Sequence, residues 1–256
     1  MRAAFDLTSL QNELRKYPKF KELNKLISRY IAARSFHADI EAALVSLEAL
    51  RTMGQSDAVT RLAVGQALMT HAVIYYCRAA IEDGNGRFKI GVTKGYSPEQ
   101  SATHKEVVRL RNKSLAHFDV GEGRYGEKWL TEKAILKVEG DSGTILDVWS
   151  RTNYLAQLVG DLSDLCETAL VTLAEAAEAR QKELTAVFFP LFASDPDLPK
   201  LVLAHPFDPL DFYKTESAAE AFWQPNRTFH ETFVPKAEDG DLNYVQVGEA
   251  VTTHLS

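Results

Sequence analysis

The chain has 256 residues, 45% of them hydrophobic and 25% charged, which is enough apolar material for a sizeable core and the make-up of an ordinary globular protein. A formal net charge of -6 argues against a molecule that binds polyanions through bulk charge, so any nucleic-acid surface must be local. Two cysteines exclude a disulfide scaffold and a cysteine-built zinc site, and the N-terminus lacks the apolar run of a signal peptide.

In chain order, apolar residues at spacings of three and four (Phe20, Leu23, Leu26, Ile27, Tyr30, Ile31, then Ile40, Leu44, Leu47 and Leu50) predict a helix over 20–51. Ser56-Asp57 is a candidate cap for a second helix running to about Glu82. Its apolar residues lie nearly all round, as in a central buried helix, and it contains Cys77 as a buried thiol. The most apolar stretch, Leu62 to Ile81, is interrupted by Gln66, His71 and Arg78, so no membrane span is expected and the protein reads as soluble and cytoplasmic. A glycine-bearing loop follows from Asp83 to Tyr96.

Ser97-Pro98-Glu99-Gln100 is the strongest helix start in the chain: an N-cap serine, proline at the first helical position and glutamine at the third. That helix should run to about His117, with Gly121, Gly123 and Gly126 forbidding its continuation. A hairpin is expected over about 133–149, around Gly140-Asp141-Ser142-Gly143. One long helix from Ser150 to about Phe189 carries Leu155, Leu158, Val159, Leu162, Leu165, Cys166 and Leu170 as its core stripe.

Residues 190–256 are a different material. Residues 1–189 hold 25 basic and 24 acidic residues, whereas 190–256 hold 4 and 11, together with seven of the nine prolines. Proline forbids long helices there, yet aromatics such as Phe207, Phe212, Phe222 and Trp223 are too many for a solvated linker. The expected architecture is all-α: an antiparallel helical bundle over 1–189 with a small β-hairpin insertion, and an extended acidic tail, 190–256, packed on that body.

Chemistry concentrates in Arg109-Leu110-Arg111-Asn112-Lys113-Ser114-Leu115-Ala116-His117-Phe118-Asp119. It offers a permanent cation, an imidazole that titrates near neutrality, an amide and a carboxylate, the parts of a phosphodiester-cleaving site. A histidine with a pKa near ~6.5 can take a proton from a ribose 2′-hydroxyl or give one to a leaving 5′-oxygen. A guanidinium can hold the charge gathering on the phosphorane oxygens. Residues 84–126 carry eight basic side chains against four acidic ones, the one strongly positive stretch of the chain. On a regular α-helix, Arg111 and His117 point about 120° apart and sit ~9 Å apart along the axis. Either the helix bends near Ala116, or the Arg111 side chain swings round, or a second copy completes the site. Arg109 is the rival cation. The plain alternative, an ion-paired helix end favoured by the macrodipole, uses the same residues.

Arg-Asn followed within a few residues by Ala-His, at the end of an inner helix of an all-α bundle, resembles the HEPN superfamily. Its R-x(4-6)-H signature is met by Arg111, Asn112 and His117, and the pattern looks most like the abortive-infection branch; the likeness covers residues 20–189. The resemblance implies a homodimer whose Arg/His pairs face each other across a cleft. It also implies a metal-independent, cofactor-free endoribonuclease of a toxin–antitoxin or phage-defence system, with RNA as substrate and an antitoxin protein as a further partner. On that reading Arg111 stabilises the transition state, His117 transfers protons and Asn112 orients the phosphate or the imidazole, while Asp119, Lys113, Arg109 and Arg78 support. The alternative is a non-catalytic module that binds RNA, nucleotide or a protein.

Other motifs carry less. Gly121-Glu122-Gly123-Arg124-Tyr125-Gly126 spells G-x-G-x-x-G but follows a helix and precedes a hairpin, opposite to the dinucleotide fingerprint. Asp83-Gly84-Asn85-Gly86-Arg87-Phe88 opens like a calcium loop and then places Arg87 and Phe88 where a ligand and a glycine are required. His71 and Tyr75, one turn apart, read as packed helix residues, and Arg78 calls for an anionic partner, with Glu82 four residues on as the candidate. The remaining histidines have no metal-binding spacing.

Overall fold

The computed structural model describes residues 2–53, 58–82, 86–115, 124–125, 130–139, 142–151, 155–224, 232–238 and 241–247. It is an all-α bundle with a hairpin insertion. The helices are α1 (Leu7–Leu14), α2 (Lys21–Thr52), α3 (Ala58–Ala80), α4 (Pro98–Leu110), α5 (Ala156–Ser194), α6 (Leu198–Leu203), α7 (Pro209–Tyr213) and α8 (Glu216–Phe222). The strands are β1 (Leu130–Glu139), β2 (Ser142–Arg151), β3 (Thr232–Glu238) and β4 (Asp241–Val247), in two separate antiparallel pairs. Contacts divide the chain into one unit of Tyr17–Leu191 and another made of Met1–Lys16 with Phe192–Ser256.

The larger unit follows from the apolar spacing. Phe36, Ile40, Ala43 and Leu47 of α2 meet Met69, Val73, Tyr76 and Cys77 of α3, with Val107 and Leu110 of α4 and Leu158, Leu162, Leu165 and Cys166 of α5 closing the core. α3 is buried at Ala72, Val73, Tyr76, Cys77, Ala79 and Ala80, while His71 and Arg78 face outward. Both cysteines are free and buried. The expected cap Ser56-Asp57 lies outside the described residues, as do Asp83, Gly84 and Asn85.

α4 starts as its sequence requires. Ser97 Oγ accepts from the Gln100 amide at 3.1 Å, Gln100 Oε1 accepts from the Ser97 amide at 3.0 Å, and Pro98 follows. Gln100 Nε2 also donates to Thr168 Oγ1 at 2.8 Å, tying the start of α4 to α5. Behind it, Tyr76 hydroxyl meets His104 Nδ1 at 2.8 Å and donates to Tyr96 hydroxyl at 3.2 Å, which donates to the Leu165 carbonyl at 3.1 Å. Burial raises both tyrosines well above the phenol range, and burial, helped by Lys105, lowers His104.

Three boundaries depart from the sequence reading. α4 was expected to continue to His117, but its α-helical bonding ends at Leu110 and a π-helical turn, Arg111–Leu115, follows. Ser142 and Gly143, read as turn, are the first residues of β2, and Ser150 and Arg151, read as helix, are its last. The turn positions Gly140 and Asp141 lie outside the described residues. α5 passes through Pro190 to Ser194 although proline was expected to stop it. The proline leaves the Ala186 carbonyl without its helical donor, and both residues are exposed, so water can take that carbonyl.

The smaller unit is built on aromatic contacts without helical periodicity. Phe207 lies 5.3 Å from Phe212 and 5.5 Å from Phe222, and Phe222 lies 4.9 Å from Trp223. α1, capped by the Asp6 carboxylate on the Thr8 amide at 2.8 Å, joins it: the Asp6 amide donates to the His205 carbonyl and the Phe207 amide to the Ala4 carbonyl, each at 2.9 Å. The region read as an extended tail thus carries three short helices and groups with residues 1–16. Among the described residues, no helix is long and apolar enough to cross a membrane.

Candidate functional site

Arg111 closes α4, its amide shared between the Val107 and Val108 carbonyls, and opens the π turn. A π turn of this kind is rare and is frequent at functional sites. The Arg111 side chain is half-buried and Asn112 and Lys113 are exposed. Arg111 Nη1 donates to Asn112 Oδ1 at 2.8 Å. No carboxylate among the described residues pairs with this guanidinium. It stands close enough to Cys77 on α3 to oppose the effect of burial there, which pushes that thiol up to about 12.

The rival cation has a partner. Arg109 Nη1 lies 3.9 Å from Glu106 Oε1, across one turn of α4, so Glu106 is on Arg109 and not on Arg111. Lys113 has a partner of its own. His117 and Asp119 lie outside the described residues, as do Gly121, Gly123 and Gly126. The structure therefore brings together Arg111 and Asn112, with the Arg111 guanidinium within electrostatic reach of Cys77.

Arg78 is engaged elsewhere. Its Nε donates to Asp39 Oδ2 at 2.9 Å and its Nη2 to Asp39 Oδ1, and this carboxylate raises the guanidinium's pKa further. Arg87 Nη1 reaches the same Oδ2 at 2.7 Å and Ser35 Oγ at 3.0 Å, with its guanidinium 3.8 Å over the Phe36 ring. The expected pairing of Arg78 with Glu82 does not form. Glu82 instead accepts from the Ile90 and Gly91 amides, holding the loop that enters the left-handed conformation at Gly91, φ +84°. Local amides satisfy Glu82, and α2 supplies the carboxylate that Arg78 needs.

On the outer face of α3, His71 stacks on Tyr75 at 4.1 Å between ring centres, and the Arg78 guanidinium lies 4.1 Å from the same ring. Partial burial and the nearby Arg78 cation lower the His71 pKa. Ser46 Oγ donates to the Ala42 carbonyl at 3.1 Å and meets His71 Nδ1 at 2.8 Å, so its one proton is spent and the imidazole donates through Nδ1.

A cluster the sequence reading passed over flanks α4. Arg124 Nη2 lies 2.9 Å from Asp161 Oδ2, which also accepts from the buried Tyr125 hydroxyl. Burial first, then Asp161, raise that phenol. Tyr125 sits in the discarded G-x-G-x-x-G, whose aromatic residue was the signal that this segment packs. Asp39 also had a signal, an acidic residue in register with Phe36, Ile40 and Ala43 on the buried face of α2. Among the described residues, no group of three or more His, Cys, Asp or Glu is placed to hold a metal ion.

Compared with known proteins, the chain matches no family model, no curated protein and no solved structure.

Proposed function

We propose that this protein is a HEPN-like, metal-independent endoribonuclease that acts as a cytoplasmic homodimer in a toxin–antitoxin or phage-defence setting. Arg111 holds the negative charge of the phosphorane, His117 moves the proton of the attacking 2′-hydroxyl or of the leaving oxygen, and Asn112 orients one of them. The observation that carries the reading is the state of Arg111. It is half-buried, beside a thiol that stays protonated, and held by an amide oxygen where its neighbour Arg109 is held by a carboxylate. A guanidinium so placed keeps most of its donors for a phosphate.

The test is cleavage of RNA by the purified full chain, with and without a chelator. Cleavage is expected to survive the chelator and leave cyclic phosphate ends. His117→Ala should lower the rate by about 10²–10⁴ and Arg111→Ala by about 10²–10³, with the oligomeric state unchanged in both. An inert wild type, or full activity in His117→Ala, ends the proposal.

A further inference from the structure

The outer face of α3 holds an imidazole outside the Arg111 site. His71, Tyr75 and Arg78 follow one another at one-turn intervals, the His71 ring stacked on Tyr75 at 4.1 Å between centres and the Arg78 guanidinium 4.1 Å from the same ring. The His71 side chain is exposed while Tyr75 is half-buried, so the imidazole rests on a fixed platform and still meets solvent.

Its two nitrogens differ. Ser46 Oγ gives its proton to the Ala42 carbonyl at 3.1 Å and therefore accepts from His71 Nδ1 at 2.8 Å. Ser46 is buried on α2, which makes it a firm anchor. With the proton on Nδ1 the lone pair lies on Nε2, and Nε2 has no hydrogen-bond partner among the described residues. Neither His37, 14% exposed with Nδ1 3.2 Å from Glu41 Oε2, nor the half-buried His104, with Nδ1 on Tyr76, is as open.

An accessible imidazole nitrogen of fixed tautomer is a nucleophile, and the charge beside it selects the electrophile. Among the described residues, Arg78 is the charged group that acts on the ring, where it opposes a proton. The same cation favours a group that brings negative charge. Asp39 holds Arg78 from the buried side, being 3% exposed itself, and leaves the Arg78 side chain 51% open to solvent. A neutral acyl or alkyl group gains nothing from that cation, whereas a phosphoryl dianion does.

We propose that His71 Nε2 is a phosphorylation site, taking its phosphoryl group from a donor with a phosphorus–nitrogen bond. The Nε2–P bond forms from the imidazole lone pair while the donor's P–N bond breaks, its electron pair leaving with the amine. Nδ1 keeps its proton on Ser46 throughout, and Arg78 faces the charge that has arrived. None of these residues is among the groups proposed for RNA cleavage, Arg111, Asn112 and His117, so labelling of His71 and cleavage of RNA are read independently.

The probe is potassium phosphoramidate, incubated at neutral pH with the full chain and, separately, with a histidine-containing peptide. The labelled residue is mapped by mass spectrometry under alkaline conditions and the ring isomer is read by phosphorus NMR. His71 is expected to take one phosphoryl group, on Nε2, about fivefold or more faster than the peptide does. His71→Gln should remove that label. Arg78→Gln should slow it by about fivefold, Arg78→Lys, which keeps the charge, should restore most of the rate, and Ser46→Ala should let the Nδ1 isomer appear. An unlabelled His71, a rate no higher than the peptide's, label on Nδ1 in the wild type, or an Arg78→Gln variant as fast as the wild type overturns the proposal.

Discussion

Asp39→Ala should be the most damaging single substitution at a polar residue of the helical unit. The Asp39 side chain is 3% exposed and accepts from Arg78 through both oxygens and from Arg87 through one. Removing one partner of a buried charge pair costs about 3–5 kcal/mol, because the other charge stays in a poorly solvated place. Here the two cations differ: Arg78 is 51% exposed and can turn to water, whereas Arg87 is 18% exposed. Arg87 would keep Ser35 Oγ and the Arg78 carbonyl among its acceptors. The larger share of the cost therefore comes from the less exposed Arg87, which places the expected loss near ~3 kcal/mol, the lower end of that range. Urea unfolding followed by helical circular dichroism should show the midpoint of the main transition fall by about 1 M or more at an unchanged slope. The same logic orders the cations, Arg87→Ala costing more than Arg78→Ala. A loss below about 1 kcal/mol for Asp39→Ala, or equal losses for the two arginines, refutes the account.

Three smaller effects follow from the same contacts. The folded-state pKa of His104 lies below its ordinary value near ~6.5, so the unfolded chain takes up the proton first. Stability should be constant at higher pH and fall as pH drops through that ordinary value, and the slope should shrink in His104→Gln, measured by urea midpoints across the acid range. Ser97→Ala removes the cap at the start of α4 and should cost ~1 kcal/mol by the same unfolding assay, with no loss if the capping box is idle. The buried Cys77 and Cys166 thiols, both pushed up by burial, should ignore a thiol-specific dye in native buffer at mildly alkaline pH and react fully in denaturant. Labelling of either at the rate of an open thiol contradicts that burial.

Much of the helical unit is legible in spacing and caps, because both are local. Residues three and four apart in α2 and α5 share a face, and Ser97-Pro98-x-Gln100 satisfies orphan amides within one turn. What escapes local reading depends on partners distant in sequence. Arg78 was assigned to Glu82, its neighbour on the same helix. Its actual partner is Asp39 on α2, which only the packing of α2 against α3 brings near. The C-terminal aromatics escape for a related reason. Phe207, Phe212 and Phe222 cluster across turns between short helices, where no period of 2 or 3.6 exists to be read.

The π turn bears most directly on the site. Nothing in Arg111-Asn112-Lys113-Ser114-Leu115 breaks a helix, since glycine and proline are absent, so the change from α to π bonding has no local signal. Yet it removes the premise of the sequence-level objection that residues 111 and 117 point about 120° apart, which assumes α-helical rotation beyond Leu110. It also changes what Arg111 can offer. Neighbouring residues of a regular helix do not face each other, but here Arg111 reaches the Asn112 side chain at 2.8 Å. That bond engages Asn112 Oδ1 and leaves several guanidinium donors and the Asn112 amino group with no carboxylate partner among the described residues. Such donors are complementary to an acceptor-only group, and a phosphodiester is such a group. One turn earlier, α4 sets Glu106 beside Arg109 instead.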